Sequence, residues 1–150
     1  MVCLLLSQPD IQVDKTNQQG FTPFIFACQE NHVNIVNILL SKGANINATT
    51  RNKIGGTGFY HACRKGNVEL MKLLLSKGAL LTPDKLGGTP FFIACMHGRV
   101  EAVKFLIKIN ADIGKCTNMK QTPLMAASDG GGPRRSGSSE MGQCGVLKIL

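Results

Sequence analysis

Thr22, Thr57, Thr89 and Thr122 head segments that resemble one another, separated by 35, 32 and 33 residues. No other feature constrains the chain as strongly. A unit of about 33 residues cannot bury its own apolar face and must stack on copies of itself to make a continuous core. Three copies align over most of their length: GFTPFIFACQENHVNIVNILLSKGANIN from Gly20, GTGFYHACRKGNVELMKLLLSKGALL from Gly56, and GTPFFIACMHGRVEAVKFLIKINADI from Gly88. A fourth starts at Gln121 with QTPLMAA.

Each copy carries the same local instructions. The threonine is a good N-cap, and Pro23, Pro90 and Pro123 follow it, where the missing N–H costs nothing. The first helix is short and ends at Asn31, Gly66 or Gly98, residues that tolerate a left-handed backbone. A second helix follows, with apolar residues at helical spacing: Ile35, Val36, Ile38, Leu39 and Leu40 in the first copy, and Leu70, Met71, Leu73, Leu74 and Leu75 in the second. In the third they are Ala102, Val103, Phe105, Leu106 and Ile107. Gly43, Gly78 and Asn110 stop these helices, and Lys42 and Lys77 suit the negative helix end. The predicted unit is therefore helix, tight turn, helix and extended loop.

The pattern G-x-T-P-F…A-C…G-x-V-E…K-x-L-L-S-K-G-A resembles the ankyrin repeat, over Thr16 to Ala127. The resemblance implies an all-α solenoid of stacked helix-turn-helix units with hairpin-like loops. Cys28, Cys63 and Cys95 each follow an alanine of the motif, where a free thiol serves as a small hydrophobe. Two departures carry expectations. The motif's histidine is replaced by Ile25, Tyr60, Phe92 and Met125, which predicts loops held by apolar packing. Gly58 replaces proline in the second unit, and the 35-residue spacing places two extra residues near Ala48 to Gly55, predicting a longer, more mobile hairpin.

The expected organisation is a single repeat domain over 1–150. It has a partial repeat at 1–14, full repeats at 15–49, 50–82 and 83–115, and a disrupted repeat at 116–150. The disruption is a Gly/Ser-rich flexible insert over 129–145, after which Val146 to Leu150 reads as the start of a second helix. Ends that fall inside repeats predict a piece of a longer array.

Seventeen basic against nine acidic residues give a formal charge of +8, which favours acidic partners. No run of Lys or Arg exceeds two, and only Phe21 and Tyr60 are placed to stack a base, so a protein partner is favoured over nucleic acid or anionic lipid. No signal peptide or membrane-length apolar stretch is present, and a cytoplasmic or nuclear location is expected. The six cysteines form no C-x2-C or C-x4-C pair and read as buried structural thiols. His32, His61 and His97 occupy different slots of different units, so no metal, cofactor or acid–base site is expected. His61 reads as a packed histidine with one hydrogen-bond partner. Gly55-Gly56-Thr57-Gly58 matches neither phosphate-binding glycine pattern. No catalytic constellation is present, and an enzyme would require a further domain in a longer chain.

In the ankyrin arrangement the loop tips and the first helices line the concave side. That resemblance nominates a partner-binding set: Gln19, Phe21 and Glu30 in the first unit, and Arg51, Lys53, Ile54, Arg64 and Lys65 in the second. Lys85, Leu86, Met96 and His97 in the third and Met119 in the fourth complete it. The expected function is a non-enzymatic protein-binding scaffold whose basic centre holds an acidic partner.

Overall fold

The computed structural model describes residues 12–129 and 148–150. Seven helices follow in order: α1 (Pro23–Gln29), α2 (Val33–Ser41), α3 (Gly58–Lys65), α4 (Val68–Ser76), α5 (Pro90–Met96), α6 (Val100–Lys108) and α7 (Pro123–Asp129). They pair as three helix-turn-helix units, with α7 opening a fourth. Among the described residues there is no strand, only an isolated antiparallel bridge between Thr49 and Thr57. No helix among the described residues is long and apolar enough to cross a membrane.

The predicted punctuation governs every helix boundary it addresses. Each threonine hydroxyl accepts from the backbone N–H three residues on: Ile25 at 3.2 Å, and Tyr60, Phe92 and Met125 at 3.1 Å. One of the unbonded donors at each helix start is thereby satisfied. Asn31, Gly66 and Gly98 adopt φ of 62°, 80° and 62°, and Gly43, Gly78 and Asn110 adopt 84°, 90° and 54°. These left-handed residues reverse the chain after the first and second helices.

The first helices of neighbouring units pack closely, α1 on α3, α3 on α5 and α5 on α7, whereas the second helices meet only sparsely, at α4 and α6. A stack that is tight along one row and open along the other curves toward the tight row, so the first helices line the inside. Between the rows runs the core: Phe24, Phe59 and Phe91 from the first helices, and Val36, Leu39, Leu70, Leu74, Val103 and Leu106 from the second. A smaller cluster of Tyr60, Phe92, Ile93 and Ala126 lies apart from it on the first-helix row. Side chains also tie unit to unit. Asp14 accepts from the Asn45 N–H, Asn47 from the Leu80 N–H at 2.9 Å, and Asn31 from the Asn67 carboxamide.

The glycine that replaces proline in the second unit has a packing reason. A Cβ at Gly58 would lie 2.7 Å from the Phe24 ring and 3.0 Å from the Cys28 sulfur, both fully buried. Restoring a side chain there is expected to destabilise the protein. Gly58→Ala gains at most about 1 kcal/mol of helix propensity. Overpacking a closed core costs about 1–3 kcal/mol. Urea denaturation should show a lower midpoint for the variant.

Residues 1–11 of the partial repeat expected over 1–14, and the insert from residue 130, lie outside the described residues. Asp129, expected to begin that insert, closes α7. The expected helix start at Val146 to Leu150 falls only partly within the described residues, where Lys148 and Ile149 form a turn and Ile149 packs on the core.

Candidate partner-binding surface

The loop tips close by one repeated device. Asn17 N–H donates to the Phe21 carbonyl at 3.0 Å, Asp84 N–H to Gly88 at 3.0 Å and Thr117 N–H to Gln121 at 3.0 Å. In the second unit Thr50 N–H donates to Gly56 at 3.0 Å. Three residues separate the partners in the first, third and fourth tips, and five, Arg51 to Gly55, in the second. The two extra residues therefore sit at the very end of that tip. They carry the basic sequence Arg51-Asn52-Lys53 outward.

The elongated tip is held from inside and from its neighbour. Asn52 Oδ1 accepts from the Thr50 hydroxyl at 2.8 Å and from the Ile54 and Gly55 N–H groups at 3.0 and 2.9 Å. Lys85 N–H donates to the Ile54 carbonyl at 2.8 Å, and Lys85 Nζ to the Asn52 carbonyl at 3.0 Å. The next junction repeats the backbone bond, Asn118 N–H to the Leu86 carbonyl at 2.9 Å. Tips two, three and four are thus joined by hydrogen bonds, where apolar packing was expected. Of the residues in the histidine slot of the motif, Ile25, Tyr60 and Phe92 are buried and Met125 is exposed.

Of the nominated residues, Gln19, Ile54, Leu86 and Met119 fall into one row, each immediately before a residue of positive φ at its tip. The last three are exposed apolar side chains. Arg51, Lys53 and Lys85 are exposed beside them. Glu30, Lys65 and His97 form a second row at the far ends of α1, α3 and α5, with Arg64 and Met96 one residue earlier. The nominated set is therefore two bands separated by the length of the first helices, about 10 Å. Met96, His97 and Phe21 are only half-exposed.

Sequence reasoning missed three contributors. Phe26 is 51% exposed on the first-helix row, although His61 and Ile93 in the same slot are buried. Arg99 reaches back so that its Nε donates to the Arg64 carbonyl at 2.9 Å. Asn52 orders the long tip. Of the three, only Asn52 had a sequence signal, an Asx residue inside the extra length.

His61 departs from expectation. It is 5% exposed, and neither ring nitrogen has a hydrogen-bond partner among the described residues. Its ring is held by Phe21 at 5.7 Å and edge-on by Tyr60 at 5.3 Å. Aromatic edges supply no acceptor, which is why the expected partner is absent. Burial, with Arg64 and Lys65 adding repulsion, pulls its pKa down to about 4, and burial with Arg64 and Arg99 does the same to His97. Both are neutral at neutral pH, so the positive charge of this surface belongs to its lysines and arginines.

The buried-thiol reading holds at three cysteines. Burial pushes Cys28 and Cys95 up to about 12 and Cys63 higher still, so none is a nucleophile. Cys116 is exposed, because its loop lies outside the helix pair that buries the others. Cys3 and Cys144 lie outside the described residues.

A family model described as ankyrin repeats (3 copies) matches residues 1–50 and 59–134. A second, described as ankyrin repeats (many copies), matches residues 27–75. No curated protein matches the sequence.

Proposed function

The chain belongs to the ankyrin-repeat family, and from that premise we propose that it is a non-enzymatic scaffold that holds an acidic protein partner. Such repeats are in general protein–protein interaction modules. The surface proposed is the inside of the curve, from the tips of the second and third units to the ends of α3 and α5.

One observation carries the reading, and it is a cluster of exposed cations without carboxylate partners on the second and third units. Both ion pairs among the described residues lie on the outer helices, Lys72 with Glu69 and Lys104 with Glu101, each at 2.8 Å. Arg51, Lys53, Arg64, Lys65 and Lys85 are exposed on the tips and first helices with no carboxylate partner among those residues. Clustered unpaired cations steer a partner of opposite charge and discriminate against basic ones. Exposed Ile54, Leu86 and Phe26 supply apolar anchors among them. A single-stranded nucleic acid would need rings on which to stack, and Tyr60 is buried while Phe21 is half-buried. The four described cysteines are free thiols, which supports a cytoplasmic or nuclear location.

The test is charge reversal in two places. Replacing Lys53, Arg64 and Lys65 together by glutamate is expected to weaken an isolated acidic partner at least about tenfold, measured by titration calorimetry. Replacing the exposed Lys42, Lys77 and Lys108 at the ends of the outer helices makes the same change in net charge and should leave affinity nearly unchanged. Equal losses from both triples would make the effect one of net charge and overturn the assignment of the surface.

A further inference from the structure

The junction between the first and second tips differs from the other two. Tips two and three are joined through Lys85 N–H and Nζ, and tips three and four through Asn118, whose carboxamide also donates to the Lys85 carbonyl at 3.1 Å. No hydrogen bond joins tips one and two among the described residues. Instead the backbones meet directly at Gly20. It has a φ of 78°, and a Cβ there would lie 2.5 Å from both the Arg51 Cβ and the Arg51 nitrogen. Any side chain at Gly20 would drive these tips apart.

Beyond that contact the two extra residues of the second tip overhang the first and leave a cleft of about 320 Å3. Its walls are Gln18, Gln19, Phe21, Arg51 and Asn52. Phe21 occupies the slot filled by Gly56, Gly88 and Gln121 in the other tips, so no other tip offers a ring there. Its ring is fixed by His61 beneath. Arg51 is exposed, has no carboxylate partner among the described residues, and is rooted by its contact with Gly20. The Asn52 oxygen is fully used inside its own tip, so only its N–H2 remains to offer. The cleft therefore presents a guanidinium, the Asn52 N–H2, the Gln18 and Gln19 carboxamides, which can donate or accept, and one aromatic surface, with no carboxylate on its walls.

We infer that this cleft anchors an aspartate or glutamate side chain presented by an acidic segment of a protein partner. Arg51 takes the carboxylate through its two-pronged donor set. Phe21 covers the apolar carbons of the same residue or its neighbour. The volume is at the small end for a ligand site and suits one or two side chains. From the cleft the segment continues along Ile54 and Leu86, whose exposed side chains adjoin it on the same row of tips. The inference rests on the acidic-partner reading above and adds where the acidic residue is read.

The test screens a displayed library of random linear peptides against the full chain, then measures individual synthetic peptides by fluorescence anisotropy. Selected peptides are expected to be rich in Asp or Glu next to an apolar residue. Arg51→Gln should weaken them about tenfold or more. Changing the peptide's key carboxylate to its amide should cost the same in the parent chain and nothing further in R51Q, the mark of one shared contact. Phe21→Ala should weaken binding by several-fold, with a thermal melt to separate lost contact from lost fold. Acidic peptides indifferent to Arg51→Gln but weakened by Arg64→Gln and Lys65→Gln would overturn the cleft while leaving the acidic-partner reading intact. A selection with no excess of Asp or Glu, or one that yields no peptide, would overturn both.

Discussion

Replacing Phe59 with alanine is expected to cost about 3–5 kcal/mol of stability, the range for an aromatic removed from a closed core. Phe59 is 1% exposed, and it shares the core with Phe24 and Phe91 from the same slot of the neighbouring units. In a stack, each unit is stabilised by its own packing and by the interfaces on either side. A cavity in the central unit weakens both interfaces at once, so the loss should appear as a broadened or split denaturant transition as well as a lower midpoint. Leu124 supplies the contrast. It holds the same motif slot in the fourth unit, yet it is 56% exposed because no further described helix covers α7. Leu124→Ala should fall within about 0.5 kcal/mol of the parent, as exposed substitutions do. Urea denaturation of both variants checks the pair; similar losses from the two would contradict the stacking account.

Lowering the pH from 6.5 toward 4 should destabilise this protein, and His61 and His97 are the reason. In the folded chain its pKa is pulled to about 4, while in the unfolded chain it returns to the ordinary 6.5. Above pH 6.5 the imidazole is neutral in both states, and stability is unaffected by it. As pH falls from 6.5 toward 4, the unfolded chain binds a proton that the folded chain refuses, so stability is lost across that window. The loss levels off at about 3 kcal/mol once both states are protonated. His97 is lowered in the same sense and deepens the slope. Substituting His61→Ile, the residue of the equivalent position Ile93, removes two unpartnered buried nitrogens. A gain of about 1–3 kcal/mol at neutral pH is expected. Urea midpoints at about pH 7 and about pH 4.5 should differ less for the variant than for the parent, the residue of slope belonging to His97. An unchanged slope in H61I would remove His61 from the account.

Much of the fold was legible because its instructions are local. The Thr22 hydroxyl reaches a backbone N–H three residues away, and Gly66 sets its own φ; neither needs a neighbour from another unit. The two extra residues were visible as a spacing, but their position at Arg51 to Gly55 emerged from which carbonyl Thr50 chose. The candidate surface was half legible. The row of tip residues followed from the repeat, whereas its division from the Lys65 and His97 band and the cleft beside Arg51 did not.

The sequence by itself determined the repeating unit, its caps, its left-handed turns and the excess of positive charge, all properties of residues within a few positions of one another. Tertiary structure alone decided which copies of a slot are covered: Phe59 or Leu124, His61 or Phe26. The physical reason is the same in each case. Burial depends on atoms brought close by stacking, and the residues that cover a slot lie a full repeat away, where no local pattern records them.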